Sequence, residues 1–172
     1  MPPSTPAVSS RGLGPIHFGM SVPQAEAASG YTLQTVPHAG NSGRCYLVRP
    51  SVDSGLKKVV FLVEDGKIQR VDVGSPATTT LSGVGVSVDL GLLYQLYPGQ
   101  IQDAADLTMD GTAVVFVPKD PADQDFRIVF DISDSRVSQY RAGLLPAVGY
   151  AQGCLQQQPR QMSRSTATAA VP

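Results

Sequence analysis

The clearest patterning in the chain lies in its second half, where Phe126, Ile128, Phe130 and Ile132 interleave with Arg127, Val129 and Asp131. A period of two puts alternate side chains on opposite faces of a strand, so the Phe130 face is expected to look into a core. Similar β-branched and apolar runs occur at Cys45 to Arg49, Lys58 to Val63, Lys67 to Val73, Thr112 to Val117 and Arg136 to Arg141. Asp65-Gly66 is a two-residue hairpin signal, and Asp134-Ser135 stands at the matching turn of the later pair. In the same register Phe61 faces inward while Val60 and Leu62 face outward, beside Val129. These three would form an apolar strip on an open sheet face. Such a strip is either an interaction surface or a patch covered by a tail or by the other half of the chain.

Two segments have helical signatures. Ser21-Val22-Pro23-Gln24 has the S-x-x-Q spacing of a capping box, Pro is tolerated in a first turn, and Gly30 is placed to end a short helix over 22–29. Farther on, Ser87 precedes Val88, Leu92 and Leu96 at i, i+4 and i+8, with Leu93 alongside and Pro98-Gly99 as a stop. Tyr94 and Tyr97 are expected to pack at the edge of this second helix.

The two sets of elements resemble each other in sequence. Phe18-Gly19-Met20-Ser21-Val22 returns 66 residues later as Val84-Gly85-Val86-Ser87-Val88, and Phe61 to Ile68 returns 69 residues later as Phe130 to Val137. Recurrence in the same order with so little drift predicts a duplicated supersecondary unit. The boundaries expected are a disordered linker at 1–11, one helix plus three strands at 12–76, a second helix plus three strands at 77–154, and a disordered tail at 155–172. The two ends are rich in Pro, Ser, Gln, Thr and Ala and poor in large apolar residues.

Composition narrows the functional classes. With 172 residues, 42% hydrophobic and 16% charged, the chain is long enough for one sizeable core, and 17 Gly with 14 Pro favour short elements and many turns. A net charge of -1 and no Lys/Arg stripe interleaved with aromatics argue against a nucleic-acid partner. No apolar run reaches the 18 or so residues of a membrane span. The Pro/Ser-rich start resembles the tether that follows a trimmed signal or lipid anchor, with a plain cytosolic disordered start as the alternative. Cys45 and Cys154 suffice for one bridge, set against two buried thiols in a reducing compartment.

The run Gly12-Leu13-Gly14-Pro15-Ile16-His17-Phe18-Gly19-Met20-Ser21, followed by a helix and strands, resembles the unit shared by β-lactamase-inhibitor proteins and the SmpA/OmlA outer-membrane lipoproteins. The mark of that superfamily is an apolar residue, then F/V-G-M-[ST], then a helix and an antiparallel sheet, and this chain looks like its tandem form over about 12–154. Arg141 to Tyr150 with Gly153-Cys154 also resembles the ending of uncharacterised secreted or lipoprotein domains of actinobacteria. In the inhibitors a loop between the first two strands presents an aspartate in place of a substrate carboxylate. Asp53 lies in the matching loop, 50–57. That loop lacks the flanking aromatics, the chain has no Trp, and the first repeat lacks a second nearby Cys, so a solvated turn residue stands as the alternative reading of Asp53.

Catalytic and metal chemistry finds little support. His17 sits between Ile16 and Phe18, His38 lies in a Pro/Gly-rich loop, and neither has a second donor at metal spacing. Cys45 beside a histidine could in principle form a dyad, but a strand cysteine is the better disulfide partner. Gly83-Val84-Gly85 lacks the third glycine and the strand context of a dinucleotide loop. Asp120, Asp123 and Asp125 could ligate Ca²⁺, but without EF-hand spacing a solvated loop is favoured. The expectation is therefore an α+β protein of two tandem helix-plus-antiparallel-sheet repeats, helices on one face and the other face open. It would be non-enzymatic, extracytoplasmic and without cofactor. A protein or cell-envelope partner would be engaged through Asp53, Val60, Leu62 and Val129. The alternative is an inhibitor of a β-lactamase or peptidase-like enzyme acting through the Asp53 loop, and an enzyme of unrecognised type is a third reading.

Overall fold

A computed structural model describes residues 6–37, 40–108 and 112–156. The chain opens with a small antiparallel meander of β1 (Val8–Ser9), β2 (Gly12–Leu13) and β3 (Ile16–His17), followed by helix α1 (Val22–Ser29). An eight-stranded sheet is then built from β4 (Leu33–Thr35), β5 (Cys45–Pro50), β6 (Val59–Glu64), β7 (Lys67–Val73), β8 (Ile101–Asp103), β9 (Ala113–Phe116), β10 (Phe126–Ser133) and β11 (Arg136–Leu144). Helix α2 (Leu90–Leu96) lies between β7 and β8 in the chain. The sheet order is β4-β5-β6-β7-β11-β10-β9-β8, and every neighbouring pair is antiparallel. The architecture is thus a mixed α+β fold, mostly sheet, with two sheets and two α-helices among the described residues.

Local signals explain α1. The Ser21 side chain accepts from the Gln24 backbone N–H and the Gln24 side chain accepts from the Ser21 N–H, closing the capping box, while Gly30 adopts φ 79° to finish the helix. The second helix begins later than its spacing suggests. Asp89, not Ser87, caps it by accepting from the Gly91 N–H, and its buried contact is Leu93, whereas Leu92 and Leu96 are exposed. Seven residues make fewer than two turns, so the helix is oriented by the one side chain that reaches the core and by Tyr97, whose hydroxyl meets that of Thr80.

Ala25 of α1 and Leu93 of α2 join one cluster with Phe61, Val63, Ile68, Val71, Phe130 and Tyr140, so both helices cover the same sheet face. The inward placing of Phe61 and Phe130 agrees with the alternation. Three expectations need correction. Within the segment 1–11 expected to be a disordered linker, residues 6–11 are ordered, because Val8 is buried, pairs with Leu13 and bridges to Thr80, while 1–5 lie outside the described residues. The segments 12–76 and 77–154 each place four strands, not three, in the large sheet, because the short edge strands β4 and β8 carry too few apolar residues to show a period. The sheet face opposite the helices is not open over its full width; it is partly covered by residues 145–156. Residues 155–156 belong to a 3₁₀ turn, and 157–172 lie outside the described residues.

Candidate functional site

The four residues expected to contact a partner are separated by the fold. Leu62 and Val129 both have no exposed surface, while Val60 is half-buried and Asp53 is exposed. Leu62 does point away from the Phe61 core, but Ala147, Tyr150 and the Cys45–Cys154 pair pack on it. Val129 is covered by Val148, with Ala104, Ala113 and Val115 around it. The apolar strip is thus occupied by the chain's own C-terminal strap, and burying each of two such side chains favours that arrangement by roughly 1.5–3 kcal/mol. The disulfide Cys45–Cys154 fixes the strap's far end, with Cα atoms 5.5 Å apart at a sequence separation of 109.

Two arginines on strands hold the strap's backbone. Arg70 Nη1 donates to the carbonyls of Ala147 at 2.9 Å and Tyr150 at 2.8 Å, while Nε and Nη2 form a fork with the Asp72 carboxylate at 2.8 and 2.9 Å. Arg141 Nε donates to the Val148 carbonyl at 2.7 Å and its Nη2 to the Leu107 carbonyl. The Ala147 and Tyr150 carbonyls already accept the Tyr150 and Gly153 N–H groups of the strap's own turns, so Arg70 adds a second, charge-assisted donor to each, while Arg141 serves the Val148 carbonyl. Glu64, also buried, accepts from the Tyr150 hydroxyl. Burial, then the neighbouring Glu64, push the Tyr150 phenol up to about 12. Burial and the nearby Arg70 pull the Arg141 guanidinium down to about 10, which leaves it charged at neutral pH. Arg70 and Arg141 were invisible as site residues because, in an alternating strand, a charged residue is expected to meet solvent.

Beyond the strap the same face remains accessible as a groove of 470 Å³. Its lining includes Lys58 just before β6, Val60 of β6, Asp72 of β7, Gln139 and Arg141 of β11, and Asp131 of β10. Val60 pairs with Asp72, Asp72 with Arg141, and Asp131 with Gln139, so the sheet register itself sets these side chains in adjoining rows. Gln139 Nε2 donates to Asp131 Oδ2 at 2.7 Å, whereas Asp131 Oδ1 lies 3.9 Å from Arg141 Nη1 and, though buried, has no hydrogen-bond partner among the described residues.

At the same end of β6 stands the loop that holds Asp53. Residues Val52–Ser54 form a 3₁₀ turn in which Ser54 N–H donates to the Ser51 carbonyl, Gly55 N–H to the Val52 carbonyl and Leu56 N–H to the Ser54 hydroxyl. Ser51 N–H is tied to the Thr32 carbonyl, and Gly55 turns with φ 80°. The turn is therefore stiff, and it holds Val52 98% exposed beside Asp53. Asp120 caps the turn Pro121–Asp123 through the Ala122 N–H, which accounts for one carboxylate of the acidic loop. His17 is half-buried, and its backbone N–H meets the Met20 sulfur; His38 lies outside the described residues. Among the described residues no group of three or more His, Cys, Asp or Glu is placed to hold a metal ion, and no helix is long and apolar enough to cross a membrane.

No family model matches the chain, and no curated protein matches it significantly. Among solved structures it is similar to the uncharacterized protein yfeY from Escherichia coli, at 24% identity and a TM-score of 0.48, over 80% of this chain and 99% of that one.

Proposed function

We propose that this chain is a non-enzymatic binding module of an extracytoplasmic compartment, and that it engages a protein or cell-envelope partner through the Val52–Asp53 turn and the adjoining end of β6 near Val60. The observation that carries this reading is the full exposure of a branched apolar side chain on a turn whose backbone is fixed by hydrogen bonds. Leaving Val52 in water favours nothing in the folded monomer, whereas inserting it in a partner's pocket gains transfer free energy without the cost of ordering a loop. Asp53 beside it adds a charge for register. The surface first expected, at Leu62 and Val129, is replaced here because both are covered. The buried Cys45–Cys154 bridge supports the compartment, since persistent disulfides belong mostly to oxidising environments.

The strand order supports the doubling and, with it, the resemblance to tandem β-lactamase-inhibitor-like and SmpA/OmlA-like units. Each helix precedes four strands, and the two runs of four meet in reversed order about the β7–β11 pair. The inhibitor reading remains the second one, favoured by the exposed Asp53 on the same stiff turn.

A photo-crosslinking residue placed at position 52 of the full chain in its native host tests the proposal, with position 34, on the exposed edge strand, as control. A discrete product at 52, absent at 34 and lost on Asp53→Ala, is the expected result. Equal patterns at both positions would remove the turn as the contact surface. Inhibition of a serine β-lactamase or peptidase panel that depends on Asp53 would select the inhibitor reading.

A further inference from the structure

We propose that the edge strand β8 pairs with β8 of a second copy of this chain, antiparallel and about a two-fold axis at Gln102, joining the two eight-stranded sheets into one. The starting point is the direction of the edge's backbone groups. Ala104 N–H donates to the Ala113 carbonyl and Val117 N–H to the Gln100 carbonyl, while Ile101, Gln102 and Asp103 stand opposite Phe116, Val115 and Val114. Bonded and non-bonded pairs alternate along an antiparallel ladder, so Gln100, Gln102 and Ala104 bond to β9 and the N–H and C=O groups of Ile101 and Asp103 point out of the sheet. Among the described residues nothing pairs with them. The opposite edge is guarded: on β4 the outward N–H of Leu33 donates to the Glu26 carboxylate at 2.8 Å, which stops a further strand from docking there.

The residues along the edge select a second copy as the strand that docks. Pairing about Gln102 sets Ile101 of each copy opposite Asp103 of the other, and each such pair exchanges two backbone hydrogen bonds. Directly opposite residues project from the same sheet face, and Asp103 borders a groove of 290 Å³ lined also by Leu90, Tyr94, Val114 and Ile132. The second copy's Ile101, half-buried in one chain alone, is thereby delivered to the side of an apolar groove whose Tyr94 is 47% exposed. At the axis the two exposed Gln102 side chains meet, and an amide that both donates and accepts is its own complement. Charge fits the antiparallel sense. Lys119 Nζ lies 3.9 Å from where a Cβ on Gly99 would stand, at the start of β8, whereas Asp103 and Asp106 are exposed at its end. An antiparallel copy therefore brings each cation toward the other's acids. A three-residue strand buries little area, so the dimer belongs with the weak associations below about 1,200 Å². This surface is separate from the Val52–Asp53 turn, and the inference does not depend on that reading.

Sedimentation velocity on the full chain from about 10 µM to about 1 mM tests the proposal, with amide exchange followed over the same range. The expected result is a shift from 18.1 kDa toward twice that mass, with exchange at Ile101 and Asp103 slowing as the dimer fills. Asp103→Pro removes one outward N–H from each copy and spares the bonds to β9, and it should weaken association at least about tenfold. Asp103→Lys and Lys119→Glu should each weaken it as well, and an equimolar mixture of these two variants should associate more tightly than either alone, because opposite charges then meet across the axis on both sides. Val52→Asp is expected to leave association unchanged, and Asp103→Pro to leave the crosslink at position 52 unchanged. A chain that stays monomeric throughout that range overturns the proposal. A dimer that survives Asp103→Pro, or whose Ile101 and Asp103 amides stay fast, would show that another face pairs and would overturn it equally. Should Asp103→Pro fail to fold, the mixture decides: no gain over the separate variants refutes the antiparallel edge.

Discussion

Removing the Cys45–Cys154 bridge separates two ways in which it could stabilise the chain. The bridge spans 109 residues, and closing a loop of that size in the unfolded ensemble is worth about 4.8 kcal/mol in the chain-entropy model. Domains are commonly stable by about 5–15 kcal/mol, so a loss of that size is a large share of the total. The Cys45→Ala/Cys154→Ala chain avoids two buried hydroxyls and should lower the urea midpoint by about 2 M for a slope of about 2 kcal/mol/M. Because Arg70 and Arg141 still grip the strap carbonyls, the folded mutant should keep its strap docked. Amide exchange at Gly149 and Tyr150, whose N–H groups donate within the strap's own turn, should then follow the reduced global stability and not open far ahead of it. A midpoint lowered by less than about 0.5 M would refute the unfolded-state account. Fast exchange of the strap in an otherwise stable mutant would show that the bridge acts as a local clasp.

Three further outcomes follow from the same face. Arg70→Met removes the donor to two carbonyls and the partner of Asp72, and should cost about 3–5 kcal/mol in urea unfolding, toward the lower end because Asp72 is 42% exposed. Gly143→Ala should destabilise by about 1–3 kcal/mol or more in thermal or urea unfolding, because its new Cβ would stand 2.3 Å from the Gln69 carbonyl oxygen and 2.5 Å from the Arg70 Cβ, both on the paired strand. For Tyr150, the folded phenol holds its proton to about 12 while an unfolded one releases it near 10. Its contribution is therefore fully present below pH 10 and declines as pH rises toward 12. Urea midpoints between pH 9 and 11 should fall more steeply in the parent chain than in Tyr150→Phe, and parallel slopes would refute a phenol held protonated by burial and Glu64.

The sequence by itself determined features that depend on neighbouring residues. The capping box at Ser21 and Gln24, the stop at Gly30, the hairpin at Asp65-Gly66 and the inward faces of Phe61 and Phe130 follow from hydrogen bonds within a turn or from the period of a strand. Helix α2 was legible in existence but not in orientation, since its seven residues gain too little from their own hydrogen bonds to resist the pull of Leu93 and Tyr97 toward the core. The disulfide was legible as a pairing of the two available cysteines, but its consequence was not.

Only the tertiary structure decided which face of the sheet stays accessible. Alternation distinguishes two faces and says nothing about what lies on the second, so Leu62 and Val129 carried the same signal whether they met solvent, a partner or residues 145–156. The strap wins because its own chain supplies Ala147 and Val148 at no cost of association, and because two strand arginines donate to its Ala147, Val148 and Tyr150 carbonyls. The groove that remains, with Asp131 held 3.9 Å from Arg141, exists because strands distant in sequence are brought into register by the β7–β11 pair.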